Sequence, residues 1–183
     1  MDMQFIGIEK VKDGKYLKNY ELTYLNKAGK EKKYEIVSRK ELTSAEELGQ
    51  KASGISIVAY KEGKLLLLKE FRMSINKVIY NLCAGMIEDG ETIEECIARE
   101  LYEETGLHVK RIIDILPASY SAVGFSDVKT HIVFIDAEGE LDDHTSENES
   151  IQPGFYSKEE VRQMLKTEEF SSRSQAIAYF FAQ

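Results

Sequence analysis

The chain has 183 residues, 43% of them hydrophobic and 31% charged, and 24 basic against 32 acidic side chains leave a formal charge of −8. This is the profile of a soluble globular domain: no apolar run approaches the ~18 residues of a membrane span, and Met1–Phe5 lacks the basic flank and apolar core of a signal peptide. The acidic balance argues against nucleic acid as the main partner, and Cys83 and Cys96 form neither a disulfide framework nor a zinc knuckle, so a cytoplasmic setting is expected.

In chain order, the first forty residues read as short strands and turns. Tyr16 to Leu25 is rich in β-formers, Asn26-Lys27-Ala28-Gly29 is a turn signal, and Lys33 to Ser38 resumes an extended pattern. Residues 41–51 are polar and predict a loop or one helical turn. Gly54 to Tyr60 and Lys64 to Glu70 predict two buried strands joined by Lys61-Glu62-Gly63. The spacing predicts a helix over 92–105, strands over Arg111–Leu116 and Thr130–Asp136, and helices over Lys158–Lys166 and Ser174–Ala182. The aromatic run Tyr179-Phe180-Phe181 is expected in the core. There is no internal repeat, no Pro-rich linker and no low-complexity tract.

The negative charge is concentrated. Residues 88–104 carry eight acids against Arg99 alone, and residues 136–149 carry seven acids and no base, whereas residues 1–87 are net basic. Thr92 and Glu95 make a capping box, and Gly106-Leu107 is a helix stop. At ~100° per residue Ile93, Cys96, Ile97 and Leu101 share one face, and Glu100 and Glu104 fall in the same stripe. Carboxylates buried there without a partner cost several kcal/mol each, so something positive must compensate. One reading is a solvated acidic helix with an Arg99–Glu103 pair. Another is a site for a hard cation such as Mg²⁺, since oxygen ligands without histidine suit one, and Mg²⁺ in turn suits a phosphate substrate.

Residues 85–107, GMIEDGETIEECIARELYEETGL, match the Nudix box G-x5-E-x7-R-E-U-x-E-E-x-G-U, U being aliphatic, at Gly85, Glu91, Arg99, Glu100, Leu101, Glu103, Glu104, Gly106 and Leu107. The chain therefore resembles the Nudix hydrolases. The resemblance implies an α/β/α sandwich with a mixed sheet, the box forming a loop–helix–loop, and divalent-metal hydrolysis of a nucleoside diphosphate linked to another group. It implies metal ligation by Glu100, Glu103, Glu104 and the Ala84 carbonyl, with Glu103 also a candidate in catalysis, and bracing of the motif by Gly85, Glu91, Arg99 and Gly106. Mg²⁺ is the expected cofactor, with Mn²⁺ as the alternative.

Beyond the box the chain resembles the ADP-ribose (ADP-sugar) pyrophosphatase branch. Lys69-Glu70-Phe71-Arg72 is similar to its strand bearing a substrate-binding arginine, and Asn81 to Met86 to the segment leading into the box, which places Ala84 and Met86 at the substrate. Tyr34 to Arg39 is similar to its N-terminal arm, where an aromatic stacks on adenine and an arginine meets phosphate or ribose. Glu147 to Ile151 is similar to the loop with the late glutamates; Glu147 is assigned as base and Glu149 as ligand, although the two roles could be exchanged. The resemblance also implies a homodimer through a β-rich antiparallel arm over residues 1–45, followed by a hydrolase domain over 46–183. Asn81, Cys83, Val123 and Val128 depart from the branch's usual Glu, Pro, Pro and Glu, which leaves open the identity of the second group. The expected substrate is a nucleotide sugar, ADP-ribose foremost. The alternatives are another nucleoside diphosphate derivative, a dinucleoside polyphosphate, or a non-catalytic sensor. Cys83 adjoins the box without a partner base, and His108, His131 and His144 lack metal-like spacing.

Overall fold

The structure, a computed structural model, describes residues 3–142 and 150–183. The strands are β1 (Gln4–Asp13), β2 (Lys18–Leu25), β3 (Glu31–Ser38), β4 (Gly54–Lys61), β5 (Lys64–Arg72), β6 (Lys77–Asn81) and β7 (Cys83–Met86). They continue with β8 (His108–Ile115), β9 (Ser119–Tyr120), β10 (Lys129–Glu138) and β11 (Ile151–Tyr156), and the helices are α1 (Ile93–Thr105), α2 (Lys158–Thr167) and α3 (Ser172–Phe181). Two units divide the chain, Met1–Ser53 with Ala118–Thr130, and Gly54–Pro117 with His131–Gln183.

In the first unit β1, β2 and β3 form an antiparallel sheet in that order. The period-two pattern of β2 turns Tyr20 and Leu22 inward, and with Ile36 and Leu42 they make a small core. Tyr20 keeps its hydroxyl satisfied there by accepting from the Leu42 N–H at 2.9 Å. The β2–β3 turn is built by Asn26, whose Oδ1 accepts from the N–H groups of Ala28 and Lys30 at 2.9 and 3.1 Å. Polar residues 41–51 supply only a 3-10 turn over Ala45–Glu47. Segment 118–130 joins this unit through Val37 N–H to Phe125 O at 2.8 Å, and β9 pairs with Lys129 and Thr130.

In the second unit the sheet runs β11-β5-β4-β10-β8. Leu65 to Leu68 of β5 are all buried, because the strand is covered on both faces. Leu66 and Leu68 pack with Ile55, Ile57, Cys96, Ile97 and Leu101 under α1, whereas Leu65 and Leu67 pack with Val58, Val161, Met164 and Ala178 under α2 and α3. This is the expected α/β/α sandwich with its mixed sheet, and the antiparallel N-terminal sheet is present as well. Among the described residues no helix is long and apolar enough to cross a membrane.

Residues 77–86 behave in a way the pattern does not reveal. As β6 they pair with β5, Asn81 opposite Leu68; after Leu82 they continue as β7 and pair with β4, Ala84 opposite Ser56. β11 is hidden in the sequence by Pro153 and Gly154, which an edge strand tolerates because its outer N–H groups need no ladder partner. The aromatic run of α3 is not core as expected: Phe181 stacks on Tyr60, but Tyr179 and Phe180 are 54% and 73% exposed. Adjacent helical residues diverge by about 100°, so three in a row cannot share one buried face.

Candidate active site

The site is built on α1 and the strand edge beneath it. Thr92 caps the helix, its hydroxyl accepting from the Glu95 N–H at 3.2 Å while the Glu95 carboxylate accepts from the Thr92 N–H at 2.8 Å. Gly106 ends it in the left-handed conformation at φ 73°, donating its N–H to Tyr102 O. Cys96, Ile97, Leu101 and Thr105 anchor the buried face. The same rotation brings Glu100 and Glu104 toward β7.

The positive group that this arrangement demands is Arg99. Its Nε and Nη2 donate to the two oxygens of Glu91 at 2.7 and 2.9 Å, a bidentate pair. Nη1 donates to Glu100 at 2.8 Å and to Glu103 at 3.2 Å, and Nη2 also reaches the Met86 carbonyl at 2.9 Å. One guanidinium thus ties the loop before the helix to three carboxylates, more than the simple Arg99–Glu103 pair of a solvated helix. Glu91 also accepts from the Glu88 N–H, and the Arg99 contact together with this bond holds its pKa down at about 2.

Among the described residues Glu104 has no such cation. Its Oε2 accepts from the Ala84 N–H at 3.1 Å, and burial pushes its pKa up to about 8, with the charges of Glu100 and Glu70 acting in the same direction. Glu100 is also raised by burial, although Arg99 opposes the shift. The Glu100 carboxyl lies directly on the backbone of Gly85, where an added Cβ would fall 1.7 Å from its Cδ. Only glycine permits that approach. Gly54 makes an equivalent allowance, since its Cβ would meet the Gly85 carbonyl at 2.3 Å.

Among the described residues no three His, Cys, Asp or Glu side chains are grouped to hold a metal ion. Glu100 and Glu103 are turned onto Arg99, and Glu104 onto Ala84. The donor chemistry nonetheless fits a hard divalent cation. Glu100 and Glu104 are oxygen donors whose ionised forms burial disfavours, and a cation would offset that penalty.

Arg72 extends from β5 and pairs with Glu70, two residues back on the same strand face. It lines a cavity of about 320 Å³ with Glu70, Met73 and Ser150. The polar groups around Asn81 were not singled out from the sequence, and Glu70 entered only as a neighbouring Glu with which Arg72 could pair on the sheet. The i, i+2 spacing of Glu70 and Arg72 on a strand was the available signal. Arg173 was also missed; from α3 it donates to the Ser56 hydroxyl, and Ser56 faces Ala84 across the β4–β7 pair. Met86 is half exposed near the start of the box, and Cys83 is a buried thiol raised well above its ordinary pKa, which makes it a poor nucleophile.

Tyr34 and Arg39 belong to the first unit. Tyr34 lines a cavity of about 280 Å³ with Tyr24, Tyr120, Leu22 and Asp127, and its hydroxyl donates to Gly124 O at 2.6 Å. Arg39 is exposed just beyond β3. Glu147 and Glu149 lie outside the described residues.

Residues 50–180 match the NUDIX domain family, and the chain belongs to that family. It is 31% identical over 137 residues to the ADP-sugar pyrophosphatase of Mus musculus, covering 72% of this chain and 60% of that protein. Against the ADP-ribose pyrophosphatase of Bacillus subtilis it is 27% identical over 143 residues, 76% of this chain and 77% of the relative. The ADP-ribose pyrophosphatase of Saccharomyces cerevisiae is 31% identical over 138 residues, 73% and 58% respectively. The chain thus spans about three fifths of the mouse and yeast proteins. A crystal structure of an ADP compounds hydrolase has the same fold, with a TM-score of 0.78 at 18% identity over 99% of this chain and 92% of the other.

Proposed function

We propose that the protein hydrolyses the pyrophosphate bond of a nucleoside diphosphate sugar, ADP-ribose foremost, giving a nucleoside monophosphate and a sugar phosphate. The seat of Glu100 and Glu104 against Gly85 and Ala84, with Arg99 behind it, carries this reading. The pyrophosphatase relatives support the substrate class.

A divalent cation, Mg²⁺ or Mn²⁺, held by Glu100, Glu103, Glu104, Glu149 and the Ala84 carbonyl would neutralise the diphosphate and acidify the attacking water. Arg99 keeps Glu100 and Glu103 close to the box loop and lowers the cost of gathering acids there. The Ala84 N–H aims the Glu104 carboxylate. Arg72 meets a phosphate, and Ala84 and Met86 border the substrate. Glu147, with Glu103 as the second candidate, takes the proton as water forms a bond to phosphorus and the bridging P–O bond breaks. Tyr34 stacks on the base with its exposed face, and Arg39 meets phosphate or ribose. Residues 1–45 act as an arm that pairs two copies, with the hydrolase domain over 46–183.

The test is turnover of ADP-ribose, other nucleoside diphosphate sugars and dinucleoside polyphosphates, each with Mg²⁺ and with EDTA. The expected products from ADP-ribose are AMP and ribose 5-phosphate, only with metal. Preference for dinucleoside polyphosphates would replace the substrate, and tight binding without turnover would make the protein a sensor.

A further inference from the structure

Asn81, one of the positions where the chain departs from the branch it resembles, stands at the centre of a polar chain that ends on Arg72. Its Nδ2 donates to Glu70 Oε2 at 3.0 Å, and Arg72 Nη1 donates to the other oxygen, Glu70 Oε1. On the opposite side the hydroxyls of Ser171 and Ser174 each lie 2.9 Å from Asn81 Oδ1. Ser171 is the N-cap of α3, and Ser174 is fully buried and accepts from the Leu82 N–H at 3.0 Å. The segment before α3 is itself clamped to β6, through Tyr80 N–H to Glu169 O at 2.8 Å and Ser171 N–H to Tyr80 O at 3.2 Å.

Two properties make this arrangement directional. The Leu82 N–H, which donates to Asn81 Oδ1 at 3.0 Å, and the Glu70 carboxylate, which only accepts, admit a single amide orientation, oxygen toward α3 and NH₂ toward Glu70. Second, Glu70 is largely buried, so its side chain is confined, whereas Arg72 is half exposed and free to swing unless that carboxylate holds it. The alternation that turns Leu66 and Leu68 toward α1 puts Glu70 and Arg72 on that same face, the face carrying Glu104. A carboxylate at position 81 would confront Glu70 at hydrogen-bond distance and draw Arg72 back between the two acids.

We infer that Asn81 is a positioning residue: by fixing Glu70 it aims Arg72 at the diphosphate, and α3 fixes Asn81 in turn. The inference rests on the reading of Arg72 as a phosphate contact, and the experiment separates the two. Steady-state kinetics with ADP-ribose and saturating Mg²⁺ are compared for Arg72→Ala, Asn81→Asp, Glu70→Gln and the Arg72→Ala/Asn81→Asp double variant. Asn81→Asp and Glu70→Gln are near-isosteric, and each has its own chance of folding, verified by near-UV circular dichroism. Loss of a charge-assisted phosphate contact raises KM for Arg72→Ala about tenfold or more, and Asn81→Asp and Glu70→Gln raise it roughly fivefold with kcat nearly unchanged. The double variant matches Arg72→Ala alone, because Asn81 acts only through that side chain. An unchanged KM for Arg72→Ala overturns the phosphate-contact reading itself. A raised KM for Arg72→Ala with normal KM for the other two, additive effects in the double variant, or a fall confined to kcat overturns the positioning role alone.

Discussion

Replacing Glu104 by Gln separates what this side chain does for chemistry from what it does to stability. The Glu104 carboxyl has a pKa near 8 against an ordinary 4.5, with burial the main cause. A carboxyl whose folded pKa is raised favours folding while neutral, and that contribution is complete below pH 4.5 and lost as pH rises toward 8. At pH 7 keeping it protonated in the fold costs about 3 kcal/mol relative to a side chain that never ionises. Glutamine is such a side chain, and its Oε1 can still accept from the Ala84 N–H. Burying the added NH₂ offsets about 1 kcal/mol, leaving a net gain of about 2 kcal/mol, or roughly 4–8 °C in Tm for a chain of this length. The assay is thermal and urea unfolding in EDTA at pH 4.5 and 7.5, beside turnover of ADP-ribose in Mg²⁺. Glu104→Gln is expected to lose turnover, to be more stable than wild type at pH 7.5, and to lose that advantage at pH 4.5. Adding Mg²⁺ raises the wild-type Tm and leaves the variant's nearly unchanged. A variant no more stable than wild type at pH 7.5, or a gain equal at both pH values, would refute the argument that Glu104 is held against its own charge.

Three further outcomes follow from the same geometry. Gly85→Ala places a Cβ 1.7 Å from Glu100 Cδ, so Glu100 must leave its seat; far-UV circular dichroism stays native while kcat falls about a hundredfold. Arg99→Lys cannot reproduce the bidentate Glu91 pair and lowers stability at pH 7, read as a lower midpoint in urea unfolding. Because the Glu91 pKa is held near 2, below the ordinary 4.5, its contribution is present above pH 4.5 and fades as pH falls toward 2, so the Arg99→Lys deficit shrinks on acidification. Gly106→Ala combines φ 73° with a Cβ 2.9 Å from the Asp142 backbone nitrogen, and costs about 1–2 kcal/mol in thermal unfolding.

The box helix was legible in the sequence because its cap, its stop and its apolar stripe are all local. The conflict within that stripe, acids where apolar residues belong, also pointed to the candidate site before any partner was known. What periodicity could not express is pairing between distant segments. That Arg99 would gather Glu91, Glu100 and Glu103 at once depends on the fold of residues 85–91 over the helix. β11 carried a proline and a glycine that speak against a strand until its edge position is known. Asn81 read as a departure from a pattern, but its partners Ser171 and Ser174 lie ninety positions downstream and become its neighbours only through the clamp on β6. Tyr179 and Phe180 misled in the opposite direction, since composition alone took an exposed pair for core.

The partner switch at Leu82 gives this protein a natural seam. Residues 77–81 travel with β5 and bear on Arg72, whereas residues 83–86 travel with β4 and seat Glu100 and Glu104. Two consequences of opposite sign meet at this seam. Inserting or deleting a single residue there would turn every side chain to the wrong face, so the stretch resists changes of length. Substitution is another matter, because the hairpin from Phe71 to Val78 can be rewritten without touching a box carboxylate. An engineer seeking a different specificity would recast that hairpin and leave the carboxylate end as it stands.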